Sequence, residues 1–213
     1  MTQGDVIGTV TGVGPLAPFV PPLPYDAEIE YLGSTGTQYI DTGLYGEMDL
    51  DFEITAQITR NNNYQNILGD RESSTSRRFS LMVDARNAPT VGGYFNSGNS
   101  NQVSFPTTYA ITNSLTYKKN GLNVYVNNNL IGALASQTFT TPYTVLLFGC
   151  RNNGVLTNSM VGRIEKCKFS KGATLIQDLI CVRIGQVGYM YDKITHQLHG
   201  NAGTGAFTLG PDI

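Results

Sequence analysis

The stretch from Asp49 to Ile58, DLDFEITAQI, limits the fold more than any other part of the chain. Leu50, Phe52, Ile54, Ala56 and Ile58 occupy every second position, with Asp49, Asp51, Glu53, Thr55 and Gln57 between them. A period of two puts the apolar set on one face of an extended strand and the polar set on the other, as in an antiparallel sheet with one face on a core. Shorter runs of the same kind recur in QNILGD, RFSLMV, GGYF, SLTYKK, LNVYV, LIGALA, YTVLLFG, VGRIEKCKF, DLICVRI and AFTLG. Turn signals fall between them: Asn120-Gly121 is a short-hairpin cue, and Asn127 to Asn129 form a second turn. Only KGATLIQDLI has the composition for a turn or two of helix. The expectation is an all-β, two-sheet antiparallel sandwich with long polar loops.

Charged residues make up only 14 % of the 213 residues, while glycine contributes 24, a balance that favours strands and turns over helices. The net charge of -2 argues against non-specific binding to nucleic acid or to an acidic membrane surface. No Lys or Arg precedes Arg60, so the acids of the leading segment are expected to complement the bases that follow. Cys150, Cys167 and Cys181 sit in or beside apolar runs without metal-type spacing, and read as buried free thiols. The opening residues have neither the basic start nor the long apolar run of a secretory signal, and no segment reaches the length of a membrane helix. Synthesis and folding in a reducing cytosol are expected.

Residues 1–28 differ from the rest. Pro15, Pro18, Pro21, Pro22 and Pro24 impose an extended backbone near polyproline II. Val6, Ile7, Val10, Val13, Leu16, Phe19, Val20 and Leu23 make that extended piece apolar. Such a strip cannot form its own core, so residues 1–28 read as a docking arm and residues 29–213 as the domain.

Several phrases carry a resemblance: YLGSTGTQYIDTG at Tyr31 to Gly43, the central YKKNGLNVYVNNNLIG, TPYTVLLFGCRNNG, and the closing run through GYMYDKITHQLHGNAGTGAF. Over residues 29–213 the chain resembles the laminin-G-like, concanavalin A-like jelly-roll modules of gut bacteria and their tailed phages. The resemblance implies a jelly roll whose first and last strands pair, so that the Gly and Thr residues of the opening phrase serve turns and strand pairing. It also implies a setting: a non-enzymatic virion surface protein, such as a capsid decoration, head fibre or tail-associated protein. That protein would be made in the bacterial host cytoplasm, be homo-oligomeric, and be anchored to capsid or tail proteins through the arm. No cofactor is expected. Calcium is the one ion such a module would admit, with oxygen ligands drawn from Asp70, Asn152 and Asn153.

Three groups of residues bear on chemistry. Glu47, Asp49, Asp51 and Glu53 are spaced two apart, like the carboxylates of laminarinase-type glycoside hydrolases, which share this fold. The chain has no Trp to stack a sugar in a cleft, and an acidic solvent face is the simpler reading. His196 and His199 form an H-x-x-H pair, but YDKITHQLHG reads better as a hairpin, with Asp192 bonding its own turn and Thr195 assisting. In the polar loops, Tyr64, Arg71, Tyr94, Asn96, Asn152 and Asn153 are types that bind glycans: aromatic rings stack on sugar C–H groups, and amides bond to hydroxyls. A lectin-like module binding cell-surface glycans, a glycoside hydrolase and a purely architectural component all remain open at this point.

Overall fold

A computed structural model describes residues 22–60, 63–86 and 89–213. Nineteen strands run through them. The first seven are β1 Ala27–Glu28, β2 Leu32–Thr35, β3 Ile40–Glu47, β4 Leu50–Ile58, β5 Tyr64–Arg71, β6 Arg78–Asp84 and β7 Thr90–Gly98. Then come β8 Gln102–Ala110, β9 Leu115–Asn120, β10 Asn123–Val126, β11 Asn129–Ala133, β12 Thr140–Leu147, β13 Cys150–Asn152 and β14 Val155–Thr157. The chain closes with β15 Val161–Lys171, β16 Thr174–Ile184, β17 Val187–Asp192, β18 Leu198–His199 and β19 Thr208–Leu209. No helix occurs among the described residues.

The strands form the expected jelly-roll sandwich of two sheets. The first runs β11-β10-β9-β4-β15-β16-β17-β18, with β1 on β16, β2 on β15 and β19 on β2. The second runs β14-β13-β5-β6-β7-β8, with β12 joining β3 to β5. Pairing is antiparallel, apart from β13 on β5 and a single bridge between Asn66 and Ser159. Phe52 of the first sheet meets Phe79 and Phe95 of the second, with ring centroids 5.2 to 6.0 Å apart, so the two inner faces lock through an aromatic trio.

The alternation of β4 holds on its apolar side, where Leu50, Phe52, Ile54, Ala56 and Ile58 are all buried. Its polar side departs from expectation. Asp51, Thr55 and Gln57 are buried as well, because β4 is a central strand flanked by long side chains of β9 and β15. KGATLIQDLI also departs from a helical reading. It is a β-hairpin, in which Gly172 turns the chain at a φ of 56° between β15 and β16.

The two hairpins cued by Asn and Gly form. β9 and β10 are joined through Gly121 and Leu122, and β10 and β11 through Asn127 and Asn128 at φ of 49° and 63°, the type I′ pattern. The opening and closing phrases pair as the resemblance implied, with Thr208 opposite Gly33 and Leu209 opposite Leu32. Gln38, itself buried, accepts hydrogen bonds from the Thr35 amide and the Ser34 hydroxyl, and Ala202 N donates to Tyr39 O. This explains the composition of YLGSTGTQYIDTG: small and hydroxylated residues satisfy a tight seam between the two ends of the domain.

The charge asymmetry along the chain resolves as intramolecular pairing. Asp41 bonds Arg151, Glu47 bonds Lys171, Asp51 bonds Lys119 and Glu53 bonds Lys118. The three thiols are buried and free. Of the arm, Val6, Ile7, Val10, Val13, Leu16, Phe19 and Val20 lie outside the described residues. Leu23 is 60 % exposed, and Tyr25 packs edge-on against Tyr191 at 5.1 Å. Sheet pairing starts at Ala27, just inside the segment assigned to the arm.

Candidate functional site on the outer face of the second sheet

Residues opposite one another in a sheet register share a face. In the second sheet Leu68, Leu81, Phe95 and Val103 form one inward rung. The rungs on either side must therefore point outward. One pairs Asn66 with Met82, Tyr94 and Ser104; the next sets Ser80 against Asn96 and Gln102; the last sets Arg71 against Arg78. Tyr64 opposes Asp84 farther along the same face, and β13 brings Asn152 beside Arg71.

Five of the six residues singled out for glycan contact thus meet on one face: Tyr64, Arg71, Tyr94, Asn96 and Asn152. All five lie in strands and not in the loops where the sequence suggested them, and their common orientation follows from the strand period of two. Asn153 stands apart. It takes the first position of the tight turn between β13 and β14, at a φ of 50°, and its amide donates to Arg71 O.

The floor of this face is sheltered and polar. Asn66, Ser80 and Asn96 are almost fully buried, and Asn96 Nδ2 donates to Ser80 Oγ at 3.3 Å. Among the described residues, Asn66 Oδ1 and Nδ2, Asn96 Oδ1, Asn152 Oδ1, Arg71 Nε and Arg78 Nε are buried without a hydrogen-bond partner. Polar atoms left so are costly unless water or a ligand completes them. Tyr94 donates its hydroxyl to Met82 Sδ, and burial raises its pKa. Tyr64 is partly covered, since the Arg86 guanidinium lies 4.0 Å above its ring while bonding Asp84. Arg78, Ser80 and Asn66 went unremarked in the sequence. Their signal was the second, polar register within RFSLMVD and QNILGD.

The outer face of the first sheet is different in kind. A charged ladder crosses it, with Lys118 on Glu53 and Lys168 on Asp178, each pair at 3.4 Å. A cleft of about 340 Å³ beside Tyr31 and Arg163 also opens on that sheet. Its arginine is already engaged, bonding Gln57 and stacking 4.7 Å over the Tyr31 ring.

The carboxylates of the glycosidase reading do not share a strand face. Glu47 ends β3 in the second sheet, while Asp51 and Glu53 belong to β4 in the first. Asp51 is buried against Lys119 instead of lining a solvent face. The two histidines also part company: His196 Nδ1 meets the Tyr191 hydroxyl at 2.8 Å, and His199 Nδ1 faces Asp41 O at 3.3 Å. Asp192 caps its own turn as expected, accepting from Thr195 Oγ1 at 2.6 Å and Ile194 N at 3.0 Å.

The oxygen set considered for calcium does not converge. Asp70 lies on the inward rung with Phe79 and accepts from Tyr143 N, whereas Asn152 sits beside the outward-facing Arg71. No three His, Cys, Asp or Glu residues group as metal ligands among the described residues.

No family model matches the chain, and no curated protein matches it. Solved structures do share its shape. The carbohydrate-binding module CBM40 of the Ruminococcus gnavus IT-sialidase, bound to α2,3-sialyllactose, superposes with a TM-score of 0.50 at 18 % identity, covering 67 % of this chain and 90 % of the module. The same module with α2,6-sialyllactose gives 0.49 at 16 % identity, with 67 % and 90 % covered. The heptameric SAP-like pentraxin of Limulus polyphemus gives 0.48 at 13 % identity, over 70 % of this chain and 77 % of the pentraxin. At such identities the first match speaks to fold alone, and it agrees with the jelly roll described above.

Proposed function

We propose that this chain is a non-enzymatic glycan-binding module whose site is the outer face of the second sheet. The observation that carries this reading is the meeting of Arg71, Tyr94, Asn96 and Asn152 over a floor of buried, unpartnered amide and guanidinium atoms. Saccharides present rows of hydroxyls above apolar C–H faces, and amides beside an aromatic ring suit both. The CBM40 module that shares the fold carries sialyllactose, which supports the reading by analogy of architecture only. Support for a non-enzymatic role comes from Glu47, Asp51 and Glu53, each already paired with a lysine.

A glycan array probed with the full chain tests this. Binding to a defined set of saccharides, lowered at least tenfold by Asn96→Ala in a variant that still unfolds cooperatively, is the expected result. A well-folded sample that binds nothing returns the chain to a purely architectural role.

The setting we propose is the surface of a phage particle, with the arm of residues 1–28 anchoring a homo-oligomer to a capsid or tail protein after synthesis in the host cytoplasm. The resemblance of the sequence to phage-borne modules and the apolar, Pro-rich leader support it. Deletion of residues 1–21 leaves Tyr25 and β1 in place on the sandwich. Loss of particle incorporation by that soluble variant is expected, and normal incorporation would remove the anchoring role.

A further inference from the structure

Arg71 and Arg78 face each other across β5 and β6 on the outer face of the second sheet. Like charges directly opposed in a sheet repel, so such a pair calls for a compensating anion. None comes from the described residues. Four other arginines carry carboxylate partners: Arg77 on Glu72, Arg86 on Asp84, Arg151 on Asp41 and Arg183 on Asp212. Arg71 and Arg78 have none among the described residues.

Strand alternation explains why. Asp70, the acid next to Arg71 in sequence, points inward on the rung of Phe79, and the neighbouring Glu72 is taken by Arg77. Arg78 gives one Nη to Ser74 O, and both Nε atoms are buried without a partner. Arg78 is only 7 % exposed, so little bulk water screens it. Burial first, and the charge of Arg71 second, press its pKa downward.

We propose that Arg71 and Arg78 receive the carboxylate of an acidic saccharide, while Asn96 and Asn152 bond its hydroxyls. The inference rests on the glycan-binding reading above and narrows it to one ligand class. Planar guanidinium groups match a carboxylate in paired, charge-assisted hydrogen bonds, and the bound anion offsets the repulsion between the two cations. Asn96 Oδ1 and Asn152 Oδ1, both unpartnered acceptors, would take up sugar hydroxyl donors beside it.

The test is a calorimetric titration of the full chain with matched neutral and acidic probes: lactose and sialyllactose, oligoglucose and oligoglucuronate, and a galactose and galacturonate pair. The acidic member of at least one pair is expected to bind tenfold or more tightly than its neutral partner, with affinity falling as salt rises. Arg71→Gln should remove that preference, and Arg71→Lys should restore only part of it, because an ammonium lacks the paired donors. The neutral-versus-acidic comparison needs no variant, so it decides even if these substitutions unfold the protein. Equal binding of both members of every pair overturns the carboxylate assignment and leaves the glycan reading standing. Tighter binding of a sulfated lactose than of any carboxylate probe also overturns it. Failure of every saccharide, neutral or acidic, removes both.

Discussion

The ammonium of Lys119 lies 2.7 Å from Asp51 Oδ1, and the lysine side chain has no exposed surface. Lys119 enters from the inward side of β9, opposite Phe52, and also donates to Met48 O and Leu50 O. Burial lowers its pKa, while Asp51 works to hold the charge. Asp51 in turn accepts from Gly121 N and so ties the β9–β10 turn to the first residues of β4. A buried ion pair is costly to break from one side only, by about 3 to 5 kcal/mol. Lys119→Ala should therefore destabilise the domain by that order in chemical denaturation. Lys119→Met combined with Asp51→Asn should recover most of the loss, and a double variant as unstable as the single one would show that the charge itself is needed.

Asp70 gives a dependence on pH. Burial pushes its carboxyl up to about 6, although the Tyr143 amide and the charge of Arg151 pull the other way. Folded Asp70 then holds its proton more tightly than unfolded Asp70. Its contribution is fully present below the unfolded value of about 4 and is lost as pH rises toward 6. Although burial opposes them, hydrogen bonds hold Asp41 and Asp192 below the usual carboxylate range, and their contributions run in the opposite sense. The comparison with Asp70→Asn isolates the residue. The stability of the wild-type protein relative to the variant should fall by up to about 3 kcal/mol between pH 4 and 6. A difference that stays flat across this window would mean that Asp70 titrates normally.

The seam between the ends of the domain depends on close backbone approach at Gly203. A Cβ there would stand 2.1 Å from Thr37 O, a backbone atom that cannot swing aside. Gly203→Ala should cost about 1 to 3 kcal/mol, read as a drop in unfolding temperature of several degrees. Gly121→Asn, at a φ of 59° with nothing within 4 Å, should change little, because asparagine tolerates that backbone region.

The thiols should be inert in the folded protein. Burial raises Cys150 and Cys181 to about 12 and Cys167 well above the ordinary thiol range. A thiol-reactive dye at pH 8 should label none of them until denaturant is added, and then all three. Rapid labelling of the native protein would show that the strands carrying them open.

The strand alternation in Leu50 to Ile58, the turn residues at Asn120 to Asn129 and the small, hydroxylated opening phrase determined an all-β chain with hairpins in these places. These features act over two to four residues, through side-chain direction and backbone preference, and so can be read locally. The candidate site was legible only as a set of residue types. Tyr64, Arg71, Tyr94, Asn96 and Asn152 are types that bind sugars, but nothing local in the sequence says that they share a face.

The acids misled for the same reason. Glu47 and Glu53 look like the two ends of one series spaced by two residues, yet the turn at Met48 and Asp49 sends them to different sheets. Only the tertiary structure decided that Asp70 faces the core while Arg71 faces outward toward Arg78 without an acid. Register between strands distant in sequence is fixed by how two whole sheets bury their apolar faces against each other, and no short stretch of chain carries that information.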